Sequence, residues 1–159
     1  MQGVTLGLGV VLGLLPSVVF ACDMPTIVDK PTFVWPLQFP VTEGYGIKFY
    51  PFLQITRLHP GIDIAAPVGT AVQATMQGRV TTTSFLGDYG NSITIDHGGG
   101  WETTYSHLQR FSVRVGDCVN AGDQIAPVGM TGLTQRPHLH FEILRAGSKV
   151  DPYLFLPER

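Results

Sequence analysis

The stretch Asn91-Ser92-Ile93-Thr94-Ile95-Asp96-His97-Gly98-Gly99-Gly100-Trp101-Glu102-Thr103-Thr104-Tyr105-Ser106-His107 reads as two strands folded back on one turn. Polar and apolar residues alternate through 91–96, the glycines interrupt the pattern, and a second β-patterned run follows over 101–107. A period of two is that of the pleat, and glycine admits the positive φ that tight hairpins require. The chain is therefore expected to be built from antiparallel strands.

Working outward, β-branched or alternating runs recur. Thr70 to Met76 and Arg79 to Phe85, parted by Gly78, predict neighbouring strands, and Phe111 to Val115 and Gln124 to Val128 predict two more. The last predicted strand is His138 to Leu144. With 19 glycines and 12 prolines scattered through 159 residues, few stretches are left in which a helix could run. The fold class that follows is all-β: mainly antiparallel sheets, short strands, long loops and little helix. The length suits one domain. At 14% charged residues and a formal net charge of -2, nothing resembles a polyanion-binding surface, so nucleic acid is not expected as a partner.

Residues 1–21 form a separate object. Val4 to Ala21 carries no charge and is dominated by Val, Leu and Gly, and Pro16 and Ser17 break the apolar run before Val19-Phe20-Ala21. This is the pattern of a signal peptide cleaved after Ala21, with a retained membrane anchor as the alternative. Cleavage there makes Cys22 the first residue, where a lipid could be attached. Residues 22–34, with Pro25 and Pro31, read as a linker, and the folded domain is expected over 35–159. The two cysteines, Cys22 and Cys118, admit one disulfide in an oxidising compartment; the simpler expectation is that Cys118 is a small, half-buried residue.

Chemistry concentrates at the histidines. In Pro137-His138-Leu139-His140-Phe141-Glu142-Ile143 the alternation sends both imidazoles to one face and Leu139, Phe141 and Ile143 to the other. Imidazole is the commonest protein ligand for transition metals. His59-Pro60-Gly61-Ile62-Asp63 places a histidine and a carboxylate four positions apart where no helix can run, so a tight turn must bring them together. Ile62 and Ile64 flank Asp63, which turns its carboxylate away from the core side. Two imidazoles and one carboxylate, His59, Asp63 and His140, suit zinc with an open fourth position. His107 ends a strand on the expected face of Tyr105, Thr103 and Trp101.

In order and spacing these segments resemble the lysostaphin-like zinc endopeptidases, which cut peptide bridges of bacterial cell walls. The resemblance runs from Trp35-Pro36 through Tyr45-Gly46-Ile47-Lys48, His59-Pro60-Gly61-Ile62-Asp63, Gly90-Asn91-Ser92-Ile93, Tyr105-Ser106-His107-Leu108 and Gly129-Met130-Thr131-Gly132 to Pro137-His138-Leu139-His140 and Val150-Asp151-Pro152-Tyr153. It implies sheets forming a groove around one zinc ion per domain, with His59, Asp63 and His140 as ligands and His107 and His138 as catalytic residues beside the metal. It further implies a peptidoglycan peptide as substrate and an extracytoplasmic location; membrane attachment through the N-terminal segment or a lipidated Cys22 is the expectation from residues 1–22 themselves. A catalytically silent wall-binding or amidase-activating domain of the same fold is the alternative; relatives of that kind typically lack one of these residues, and all are present here.

Lys48 stands where arginine is more usual in that family, and Gln135-Arg136 replaces small residues. Arg136 is expected to be a solvated loop charge, His97 a structural residue at the hairpin end, Trp101 and Tyr105 packing residues, and Glu142 a surface carboxylate near the strand end, with a role orienting a ligand as its alternative.

Overall fold

The computed structural model describes residues 22, 31–51 and 54–159. The signal or anchor segment read over 1–21 lies outside them. Among the described residues no helix is long and apolar enough to cross a membrane.

The elements are β1 (Val41–Glu43), β2 (Gly46–Tyr50), β3 (Ile55–His59), β4 (Ile62–Ala65), β5 (Ala71–Gln73), β6 (Gly78–Phe85), β7 (Asn91–Gly98), β8 (Trp101–Leu108), β9 (Cys118–Val119), β10 (Gln124–Pro127), β11 (His138–Arg145) and β12 (Ser148–Val150), with 3-10 turns at Gly87–Tyr89 and Pro152–Leu154. The main sheet runs β1-β4-β11-β8-β7-β6-β9, with β12 paired to β11, and every described strand pair is antiparallel. Two smaller sheets, β10-β5 and β2-β3, complete the fold. The all-β expectation holds.

The hairpin that decided the fold is β7-β8. Gly98 pairs with Trp101 across Gly99 and Gly100, whose φ of 59° and 81° are those of a tight two-residue turn. Alternation then sorts the side chains. Ile93, Ile95, Trp101, Tyr105, Leu139, Phe141, Ile143, Ile62 and Ile64 are all sealed from solvent on one face of the main sheet. Val72, Ile125 and Val128, from or beside β5 and β10, join the same core. The opposite face of β4, β11 and β8 is left for chemistry.

Several local expectations change. β5 pairs with β10 rather than β6, which lies between β7 and β9. Alternation assigns a face to each strand and says nothing of its partner, which long-range packing decides. Phe111 to Val115 is not a strand: Asp117 accepts the Arg114 backbone N–H at 2.8 Å and holds a turn there, while Phe111 and Val113 still pack on the core. The core also starts before Trp35. Pro31 is buried, Phe33 is 1% exposed with its ring edge-on to His97 and Trp101, and the Val34 N–H donates to the Thr75 carbonyl at 2.8 Å. The end of the expected linker is thus part of the domain.

Cys22 and Cys118 are joined in a disulfide that spans 96 residues, with 5.5 Å between their Cα atoms. This replaces the reading of Cys118 as a half-buried free residue; its side chain is exposed at β9. It also occupies the Cys22 sulfur that lipid attachment would use.

Candidate metal centre

β4 and β11 lie side by side with Asp63 opposite His140 and Ala65 opposite His138. The register puts Asp63, His138 and His140 on the face away from Ile62, Ile64, Leu139 and Phe141, as alternation requires. His59 arrives from outside the main sheet. It ends β3 of the β2-β3 hairpin, and Pro60-Gly61 turns the chain into β4, bringing His59 Nε2 to 3.2 Å from Asp63 Oδ1. Gly61 is required at that corner by close approach, since a Cβ there would lie 2.3 Å from the Phe141 carbonyl oxygen.

His59, Asp63 and His140 each offer one ligand atom, and these atoms lie within 4.8 Å of one another. His138 Nε2 lies 3.8 Å from Asp63 Oδ2. The His107 ring sits 4.6 Å from that of His138 and 6.2 Å from that of His140, centre to centre. The predicted site residues therefore converge on one surface.

His107 reaches it against the alternation. Trp101, Thr103 and Tyr105 occupy the core face as expected, but His107 has φ of 62°, in the left-handed region, where the side chain no longer follows the strand's alternation. The ring is thereby brought beside His138 rather than into the core with Tyr105. The expectation that His107 shares the Tyr105 face is corrected by this single backbone angle.

Each imidazole is tied down through one nitrogen and leaves the other for the centre. His59 donates from Nδ1 to the Gly44 carbonyl at 2.9 Å. His107 donates from Nδ1 to the Thr131 carbonyl at 2.8 Å, and His138 from Nδ1 to the Arg136 carbonyl at 2.9 Å, with the Thr134 hydroxyl 3.2 Å away. His140 is reversed: Nε2 donates to Glu142 Oε1 at 3.0 Å and Nδ1 faces Asp63 Oδ1 at 2.7 Å. A partner behind the ring fixes tautomer and orientation, as ligating and catalytic histidines require.

The electrostatics follow from this crowding. Burial alone would raise the Asp63 carboxyl, but hydrogen bonds to His140 and His59 and the charges of His140 and His138 hold it well below the usual carboxylate range. Burial pulls His140 down, and Asp63 and Glu142 together pull it above the ordinary histidine value. His107 is lowered, mainly by burial and with the help of His138 and His140, against the pull of the Thr131 carbonyl and Asp63. Acidic oxygen and imidazole nitrogen compete here for protons that a divalent cation would replace.

Glu142 is the main surprise. It is 3% exposed, so the surface reading fails and its alternative, contact with a candidate ligand, is what the structure has. The supports Gly44, Thr131, Tyr89 and Lys149 were not legible as site residues. Lys149 had one signal: Ala146-Gly147 is a turn pair that folds β12 back on β11. His97 stands apart from the site, fully buried, donating from Nδ1 to the Gln77 carbonyl at 2.8 Å.

Two cavities meet at the centre, and Glu43, Asp63 and His138 line both. One, of about 550 Å³, extends past Pro67, Gln135 and Arg136. The other, of about 280 Å³, lies between the β2-β3 hairpin at Tyr50 and Arg57 and the opposite wall at Tyr89 and Leu133. Together they form an open groove across the sheet.

The sequence pattern of Peptidase family M23 matches residues 57–152, which hold His59, Asp63, His107, His138, His140 and Glu142. The chain belongs to that family. Over 112 residues this M23 domain is 43% identical to the DD-carboxypeptidase/endopeptidase Mpg of Neisseria meningitidis serogroup B, a match covering 70% of this chain and 26% of Mpg. It is 38% identical over 122 residues to the murein hydrolase activator EnvC of Escherichia coli K12, covering 77% of this chain and 28% of EnvC. The chain thus spans about a quarter of the length of these curated relatives. Among solved structures, a zinc-containing peptidase from Vibrio cholerae superposes with a TM-score of 0.73 at 32% identity, covering 77% of this chain and 39% of the other. The catalytic domain of the antimicrobial peptidase lysostaphin from Staphylococcus simulans superposes with a TM-score of 0.67 at 30% identity, covering 74% of this chain and 91% of the other. The lysostaphin-like resemblance in the sequence is thereby confirmed at the level of family and fold.

Proposed function

We propose that this M23 domain is a zinc-dependent endopeptidase that hydrolyses peptide cross-bridges or stem peptides of bacterial peptidoglycan. The observation that carries the reading is the convergence of five side chains, each histidine with one nitrogen anchored and the other turned inward. His59, Asp63 and His140 are the proposed zinc ligands, a donor set of two imidazoles and one carboxylate that leaves a coordination position open. When bound, zinc supplies Lewis acidity, polarising a carbonyl and lowering the pKa of water to about 7.

The chain's own residues do the rest. His107 and His138 stand side by side at the edge of the candidate metal centre, each held through Nδ1 by a backbone carbonyl, of Thr131 and Arg136 respectively. One is proposed to take the water proton and return it to the leaving amine, the other to hold the developing oxyanion. The two cavities that meet at Asp63 are the proposed seat of the peptide substrate, and a chain with this activity works outside the cytoplasm, in the cell envelope or beyond it. Mpg and lysostaphin, whose names record peptidase activity, support the reading.

EnvC and the E. coli murein hydrolase activator NlpD, 38% identical over 129 residues, favour a second reading in which the domain activates a separate wall hydrolase. Zinc analysis followed by digestion of purified peptidoglycan, with products identified by mass spectrometry, separates the two. The enzyme reading expects one zinc per chain and released peptides. His140→Ala should lose zinc, whereas His138→Ala should keep zinc and lose hydrolysis. A parent that releases nothing, yet stimulates a purified amidase, supports the activator reading.

A further inference from the structure

Glu142 lies beneath the candidate centre and is used by nothing in the reaction proposed above. Its carboxylate accepts from His140 Nε2 at 3.0 Å and from Lys149 Nζ at 2.8 Å. Lys149 also donates to the Tyr89 hydroxyl at 3.3 Å, with its ammonium 5.2 Å from the centre of that ring. The Tyr89 ring in turn lies 5.4 Å from the ring of His140 and forms part of the groove wall. A buried carboxylate is costly unless paired, and this one has two partners, both at Oε1.

The pairing decides which nitrogen of His140 is available. The imidazole is bracketed by two carboxylates, Asp63 at Nδ1 and Glu142 at Nε2. A ring that is to serve as a metal ligand must leave one nitrogen unprotonated. Nε2 is committed to Glu142 Oε1 at 3.0 Å, the same oxygen that Lys149 Nζ holds at 2.8 Å. Nδ1 is then the nitrogen left for a metal, and it faces the proposed ligand oxygen Asp63 Oδ1 at 2.7 Å. His59 is the reverse, with Nδ1 committed to Gly44 and Nε2 inward.

We propose that Glu142, clamped by Lys149, is the positioning residue that sets His140 to present Nδ1 to the metal. The inference rests on the zinc reading above. A carboxylate behind a ligating histidine raises its basicity and fixes its ring, and losing such a partner typically costs about 10–100-fold in metal affinity.

The test uses the full chain. Glu142→Gln keeps the size of the side chain and removes its charge, and its zinc affinity, measured by competition with a chromophoric chelator, should fall by about 10–100-fold. The chelator-treated variant should melt close to the chelator-treated parent. Nitrogen-15 spectra of the histidine side chains in the zinc-loaded parent should show His140 bound through Nδ1 and protonated at Nε2, a readout that does not depend on whether the variant folds. Parent-like affinity in Glu142→Gln, or ligation through Nε2 of His140, overturns the inference and leaves the zinc reading standing. A parent that takes up no zinc overturns the zinc reading, and this inference with it.

Discussion

Asp63 and His140 are direct cross-strand partners of β4 and β11, and Asp63 Oδ1 lies 2.7 Å from His140 Nδ1. The candidate centre is thus held together by a sheet register, with His59 brought to the same oxygen by one tight turn. Asp63→Asn preserves shape and removes the negative charge that a cation would meet. Zinc affinity should fall by on the order of a hundredfold or more, about 2.8 kcal/mol. Thermal melts check this: zinc should raise the melting temperature of the parent, by mass action on the folded state, and leave the variant nearly unmoved.

Gly61 allows β4 to lie against β11. With a Cβ placed 2.3 Å from the Phe141 carbonyl oxygen, Gly61→Ala must push the corner away from β11 and with it Asp63 away from His140. Stability should drop by roughly 1–3 kcal/mol, as overpacking costs. Urea unfolding of the chelator-treated protein measures that loss, and zinc titration should show weakened binding in the same variant.

What was legible in the sequence follows the reach of alternation. Asp63, His138 and His140 lie in strands whose apolar neighbours fill the core, so their shared face could be read from residue types alone. His107 could be recognised as a site residue, but its route to the site could not, because its left-handed backbone breaks the periodicity on which the reading rests. The burial of Glu142 was hidden for a different reason. The cation that permits it comes from Lys149 on β12, a short strand whose pairing with β11 is a tertiary fact. The pairing of β5 with β10 likewise depends on contacts distant in sequence.

The Cys22–Cys118 disulfide closes a loop of 96 residues that holds His59, Asp63 and His107, whereas His138 and His140 lie beyond it. In the loop-entropy account a closure of about this length stabilises by roughly 4–5 kcal/mol. Cys118→Ser should therefore lower the denaturant midpoint strongly. Because Cys118 is exposed on edge strand β9, remote along the sheet from β4 and β11, the folded variant should retain zinc affinity close to the parent's. A large loss of zinc binding in a folded Cys118→Ser protein would show that the edge of the sheet and the metal centre are coupled.

His97 provides the pH dependence that lies outside the metal centre. Burial holds it below the ordinary histidine range, against the raising effects of the Gln77 carbonyl and the charge of Asp96. The unfolded chain takes up a proton at this histidine near pH 6.5, while the folded chain resists doing so. Where the unfolded state binds more protons, stability rises with pH, so this residue's share of stability is intact above about pH 6.5 and is lost as pH falls from there toward the lower value in the folded protein. His97→Gln removes the titration along with the contact to Phe33, so the variant should be less stable at neutral pH yet fall off less steeply on acidification. Urea unfolding of parent and variant above and below pH 6.5 measures both. The parent should lose more stability than the variant over that interval, and equal losses would assign the acid sensitivity to other groups.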